Sequence, residues 1–144
     1  ISPPLLMKSL ARPDRKVIVL DGDGSLLMNL GGLVTVAGQQ PHNLVHFVFE
    51  DGIYSTTGGQ PIPGAGMFDL VGIATSAGYS HCWMFDELED FIGQLDHVLD
   101  AQGPVFVCLK VVHIGGVPEF DMGKNIGVTK EAIQRVKRAL EELY

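Results

Sequence analysis

The stretch Val17-Ile18-Val19-Leu20-Asp21-Gly22-Asp23-Gly24-Ser25 joins an apolar, β-branched run to a turn of glycines and carboxylates. Four consecutive apolar residues after the polar segment Arg12-Pro13-Asp14-Arg15-Lys16 suit a strand covered on both faces, so the run reads as a central strand of a parallel sheet. Gly22 and Gly24 permit a tight turn at the carboxyl end of that strand and let the next backbone N–H groups face an anion. Asp23 beside an anion is repelled unless a divalent cation lies between them, which points to Mg²⁺.

Outward from this turn, Leu30, Leu33, Val34 and Ala37 recur at helical spacing, and Gly38 with Pro41 predicts a stop. Leu44-Val45-His46-Phe47-Val48-Phe49 is a second apolar strand. It ends in Glu50-Asp51-Gly52-Ile53 and a long Gly- and Pro-rich loop to about Met67. Asp69 is the expected cap of a helix through Ala77 closed by Gly78. A short strand follows near His81–Met84. Asp86 opens an amphipathic helix to about Ala101, with Leu88, Phe91, Ile92, Leu95 and Leu99 expected inward. Val105–Val112 reads as a third long strand and Thr129–Tyr144 as a terminal helix with a Thr cap. Strands alternating with helices predict an α/β domain with a mostly parallel sheet, whose ligands sit beyond the strands' carboxyl ends. Asp23 and Asp51 both fall there, so two oxygen ligands can meet.

The 144 residues are 46% hydrophobic, enough for one core and one domain over 1–144. A formal charge of -7 and the absence of a Lys/Arg run argue against nucleic acid as a partner. No apolar run approaches the roughly 20 residues that span a bilayer, so no membrane partner is expected and the reading is a cytoplasmic protein. Cys82 and Cys108 read as buried free thiols. The five histidines show no metal-ligand spacing, and Glu87, Glu89 and Asp90 read as a solvated face.

Gly22-Asp23-Gly24-Ser25, followed one strand later by an Asn-Asn-Gly-like triplet, resembles the motif of thiamine-diphosphate-dependent enzymes. The resemblance extends to Asn43–Pro63, with its Tyr54-Ser55-Thr56-Thr57-Gly58-Gly59-Gln60 loop, and to Phe68–Tyr79. It covers roughly residues 12 to 120 and is strongest to the sulfopyruvate and phosphonopyruvate decarboxylases. It implies the thiamine-diphosphate-binding fold, a three-layer α/β sandwich. It also implies that Asp23, Asp51 and the Ile53 carbonyl bind Mg²⁺, and that Gly22, Gly24, Ser25 and Tyr54 belong to the cofactor site. The implied substrate is a small, anionic 2-oxo acid.

Two departures from the family pattern stand out. Glu50-Asp51 replaces the usual Asn pair and brings extra negative charge, and the upstream glycine-rich segment that helps to place the thiazolium ring is not recognisable. The Glu that activates the cofactor lies, in that family, on a pyrimidine-binding domain, for which this sequence has no room. The expectation is therefore a homo- or hetero-oligomer in which another chain supplies that side, or a fragment of a longer enzyme. No catalytic residue is assigned to this chain. Residues 56–60 read as a closing lid or a plain structural loop.

Two other readings compete. Asp21 and Asp23 also resemble the Asp-x-Asp motif of haloacid-dehalogenase-like phosphatases, with Asp21 as nucleophile, but no carboxylate follows Val105–Val112 until Glu119. A noncatalytic nucleotide-binding module lacks support because Leu27 stands where a Gly-x-Gly-x-x-Gly fingerprint needs glycine. A regulatory subunit that binds cofactor without turnover shares every motif named above.

Overall fold

The computed structural model describes residues 3–112, 131 and 133–138. The chain divides into two compact units, Ile1–Ile114 and Gly115–Tyr144. The second contributes helical backbone at residues 131 and 133–138, within the expected terminal helix. The Thr129 cap, Val112's successor His113, and Glu119 lie outside the described residues.

In the first unit, helix α1 (Pro3–Ala11) precedes strand β1 (Val17–Gly22). The chain continues through α2 (Asp23–Met28), α3 (Gly32–Gln39) and β2 (Leu44–Glu50). A short hairpin, β3 (Ile53–Tyr54) with β4 (Gln60–Pro61), encloses a 3₁₀ turn at Ser55–Thr57. Then come α4 (Leu70–Ala77), β5 (His81–Phe85), α5 (Leu88–Asp100) and β6 (Val105–Lys110). Four strands form one fully parallel sheet in the order β1-β2-β6-β5.

Alternation along the strands makes two cores. Val19, Leu44, Val48, Phe106 and Cys108 face α1 to α4 and bury Leu6, Leu26, Leu33, Val36, Leu70 and Ala74. Val45, Phe47, Phe85, Val105 and Val107 face the opposite way, onto Val98 of α5. Helices on both faces give the α/β domain with a parallel sheet that the alternation of elements predicts, in the three-layer form that the resemblance implies.

Several local expectations are corrected. β1 is an edge strand, paired only with β2 among the described residues, and Ile18 and Leu20, on the sheet face whose cover α5 gives over β5, are 50% and 68% exposed. The helix expected from Asn29 to about Ala37 begins at Gly32, and a separate helix, α2, opens ahead of it at Asp23 itself, with a turn at residues 29–31 between the two. α5 turns Phe91, Leu95, Val98 and Leu99 inward, while Leu88 and Ile92 face out. The inward set follows the i, i+4, i+7 stripe that Val98 anchors. β6 stops at Lys110 rather than Val112. Asp69 occupies the N-cap of α4 without a side-chain cap bond, its carboxylate lying over Gly72 instead.

α1 has no counterpart in the sequence reading. It is anchored by buried Asn43, whose Nδ2 donates to the carbonyls of Ser9, Arg12 and Arg15 at 3.0, 2.9 and 2.6 Å. That one amide ties the end of α1 and the following turn to the start of β2. The C-termini of α3 and α4 share a similar staple, since Gln40 Nε2 donates to both the Ala37 and Gly78 carbonyls.

Candidate functional site

Asp23 opens α2 directly after β1, and its side chain reaches the end of β2. It is 2% exposed, with Oδ1 accepting the Gly24 N–H at 2.7 Å and Oδ2 accepting the Gly52 N–H at 2.8 Å. One buried carboxylate therefore ties together the two strand ends that the sequence placed side by side. Asp51 folds onto its own loop, its Oδ1 accepting the Ile53 N–H at 3.0 Å and its Oδ2 the Ser55 hydroxyl at 3.2 Å. Such an Asx turn sets the local backbone, and Gly52 within it has φ +76°, a conformation that disfavours other residues.

Gly24 is the tightest point. A Cβ there would lie 2.7 Å from Tyr54 Cδ1 and 3.6 Å from the Ile53 carbonyl oxygen. Glycine alone lets the Tyr54 ring and the Ile53 carbonyl close on the turn. Gly22 has nothing within 4 Å of a Cβ position, so its side of the turn is open. Ser25 is exposed on the turn. Gly22, Asp23, Gly24, Ser25, Asp51, Ile53 and Tyr54 thus lie around one turn and one loop. The residue 56–60 segment closes on itself, with Gln60 Nε2 donating to Thr57 Oγ1 at 2.9 Å.

The electrostatics ask for a cation. Burial pushes the Asp23 carboxyl above its ordinary value, the Asp51 and Glu50 charges push the same way, and the Gly52 and Gly24 N–H bonds oppose them. Among the described residues no Lys or Arg forms an ion pair with Asp23. No group of three His, Cys, Asp or Glu side chains gathers there either. This donor set of two carboxylates and a carbonyl fits Mg²⁺, which keeps few protein ligands and takes the rest from phosphate and water. The Gly24 cradle and the open Gly22 side fit a diphosphate beside it.

Glu50 does not load the site with uncompensated charge. Its Oε1 pairs with Lys110 Nζ at 3.1 Å, and its Oε2 accepts the Cys108 thiol at 3.0 Å. Lys110 is the register partner of Glu50 on β6. The lone basic residue at the end of Val105–Lys110 was the sequence signal for it, invisible without the strand pairing. Burial first, then Glu50, pushes the Cys108 thiol up, so it is a neutral donor. Both cysteines are free, Cys108 buried and Cys82 half-buried.

Behind the turn, Asp21 Oδ1 accepts the Gly22 N–H at 3.0 Å, and its Oδ2 lies 3.6 Å from Nε2 of His46. Burial opposes ionisation of Asp21, but its contacts with His46 and Ser25 outweigh it and hold the carboxyl low. Burial pushes His46 down, against the pull of Asp21, leaving the imidazole neutral. Asp21 is turned inward, with 13% of its side chain exposed, which suits a nucleophile poorly.

Comparison with known proteins decides between the readings. Residues 3–109 match the family model described as thiamine pyrophosphate enzyme, C-terminal TPP binding domain. The chain belongs to this family. Sulfopyruvate decarboxylase subunit beta of Methanothermobacter thermautotrophicus is 38% identical over 130 residues, covering 90% of this chain and 66% of that one. Phosphonopyruvate decarboxylase of Streptomyces viridochromogenes is 40% identical over 97 residues, 67% of this chain and 24% of that enzyme. The chain thus spans just under two thirds of the first relative and about a quarter of the second. A Mycobacterium smegmatis structure assigned as a thiamin diphosphate-dependent enzyme superposes with a TM-score of 0.61 at 25% identity, over 75% of this chain and 20% of that one. The membership sets the phosphatase and nucleotide-module readings aside. Among the described residues no helix is long and apolar enough to cross a membrane.

Proposed function

We propose that residues 1–144 form one diphosphate-side domain that binds thiamine diphosphate with Mg²⁺ and serves the nonoxidative decarboxylation of an anionic 2-oxo acid, of the sulfopyruvate or phosphonopyruvate kind. The observation that carries this reading is the buried Asp23 carboxylate, unpaired with any Lys or Arg among the described residues, bridging the ends of β1 and β2 beside the Gly24–Tyr54 cradle.

In this proposal Asp23, Asp51 and the Ile53 carbonyl hold the metal. Gly22, Gly24 and Ser25 present the turn to the diphosphate, and the Tyr54 ring walls the site. Thiamine diphosphate, when bound, supplies the carbon nucleophile and the electron sink that decarboxylation needs. The chain's own work is positioning: Gly52 and Gly24 fix Asp23 through its two oxygens, and the Asx turn of Asp51 fixes the Ile53 carbonyl.

The pyrimidine-side residues come from another chain or domain in a homo- or hetero-oligomer. Three of the relatives are named subunit beta of sulfopyruvate decarboxylase, which supports a multichain assembly. A cytoplasmic location belongs to the same reading and agrees with two free thiols, the usual state in a reducing compartment.

Calorimetric titration of thiamine diphosphate into the chain with Mg²⁺ tests this. Asp23→Ala is expected to weaken binding by about 100-fold or more, since even outer-shell changes at metal sites cost about 10- to 100-fold. Chelating Mg²⁺ is expected to do the same. Equal binding by Asp23→Ala, or indifference to the chelator, sinks the proposal.

A further inference from the structure

His46 is the one polar side chain in the apolar run Leu44–Phe49, at the centre of the sheet. It is fully buried, and among the described residues neither ring nitrogen has a hydrogen-bond partner. Phe106 meets the ring edge-on with centroids 5.4 Å apart, and Tyr79 lies at 6.5 Å, so packing fixes the imidazole plane. The nearest charged atom is Asp21 Oδ2, at 3.6 Å from Nε2. That gap exceeds a hydrogen bond by a few tenths of an ångström. Buried polar nitrogens are nearly always bonded, and a side chain that only filled this space would be less costly as Phe.

A carboxylate can only accept, so the ring nitrogen facing it must carry the hydrogen. Asp21 is itself tied to the cofactor turn, through the Gly22 N–H at 3.0 Å. We infer that His46 donates its Nε2–H to Asp21, and that this buried pair positions the Gly22–Ser25 turn for the diphosphate. The inference rests on the thiamine diphosphate reading for its purpose, but not for the bond itself. Asp21 and His46 are positioning residues, acting on the turn through the Gly22 N–H. Ser25, in the turn so held, then offers the diphosphate its backbone N–H.

Two measurements on the full 144-residue chain test this. First, ¹⁵N-histidine NMR without ligand should show His46 as the Nε2–H tautomer. The Nδ1–H tautomer overturns the bond. Second, calorimetry with Mg²⁺ and thiamine diphosphate should show His46→Phe binding about tenfold more weakly, the worth of one charge-assisted hydrogen bond, while its melting temperature holds or rises. His46→Gln, which keeps a donor amide, should bind within about threefold of the parent. A folded His46→Phe protein that binds like the parent overturns the positioning role. So does a His46→Gln protein no better than His46→Phe. If the parent itself binds no thiamine diphosphate, the function proposed above fails, and the tautomer still decides the His46–Asp21 bond.

Discussion

At the level of single residues, Gly24 and Tyr54 leave no spare room in the candidate site. The Tyr54 ring occupies the space where any Cβ on residue 24 would go, so Gly24→Ala must drive the ring away or open the turn. Overpacking of this kind costs about 1 to 3 kcal/mol. Because the strain falls on the cofactor turn rather than on the sheet, most of it is expected in binding. Gly24→Ala should raise the Kd for thiamine diphosphate with Mg²⁺ by roughly 10- to 100-fold in calorimetry. Adding Tyr54→Ala should recover part of that loss. If the double variant binds no better than Gly24→Ala alone, the ring is not what excludes the methyl group.

Among the elements, the end of β2 shows how one strand manages a crowd of carboxylates. Glu50, Asp51 and Asp23 fall within one turn of chain and one strand spacing, yet each is directed differently. Asp23 faces the β1 turn and Asp51 its own loop, while Glu50 is drawn to β6 by Lys110 and Cys108. Lys110 is about half exposed, so the ion pair itself adds at most about 1 kcal/mol to stability. Its larger consequence is charge balance beside an anionic cofactor. Lys110→Met is expected to weaken thiamine diphosphate binding about threefold at low salt and less at high salt, where such fields are screened. Glu50→Gln in the Lys110→Met background should restore it. Persistence of the defect in that double variant would mean that Lys110 acts on the ligand directly.

Across the whole molecule, protection should follow strand order rather than chain order. β2 and β6 are paired on both sides and carry the fully buried Val45, Val48, Val105, Phe106 and Val107, whereas β1 and β5 are paired on one side only among the described residues. Native-state hydrogen exchange should therefore be slowest for amides in 45–48 and 105–108, with β1 and β5 opening at least about tenfold more often. Slower exchange in β1 than in β2 would place a further element against the β1 edge.

The alternation of the four sheet strands with α3, α4 and α5, the parallel sheet, the Gly22–Ser25 turn and the neighbouring positions of Asp23 and Asp51 were all legible in the sequence. Each depends on local causes: apolar period, β-branched runs, glycine at turns, and the rule that strand ends in α/β sheets gather ligands. α1 escaped because Asn43, more than thirty residues away from Ser9 and Arg12, provides its anchor. The faces of α5 escaped because five apolar residues offered more than one inward stripe, and contact with β2, β5 and β6 chose among them. The partners of Glu50 and His46 also came from other strands, through register. A run such as Val17–Leu20 specifies that a strand forms and that it prefers cover on both sides. Whether it stands at the centre or the edge depends on which other segments lie beside it, and those contacts join residues that chain neighbourhood cannot see.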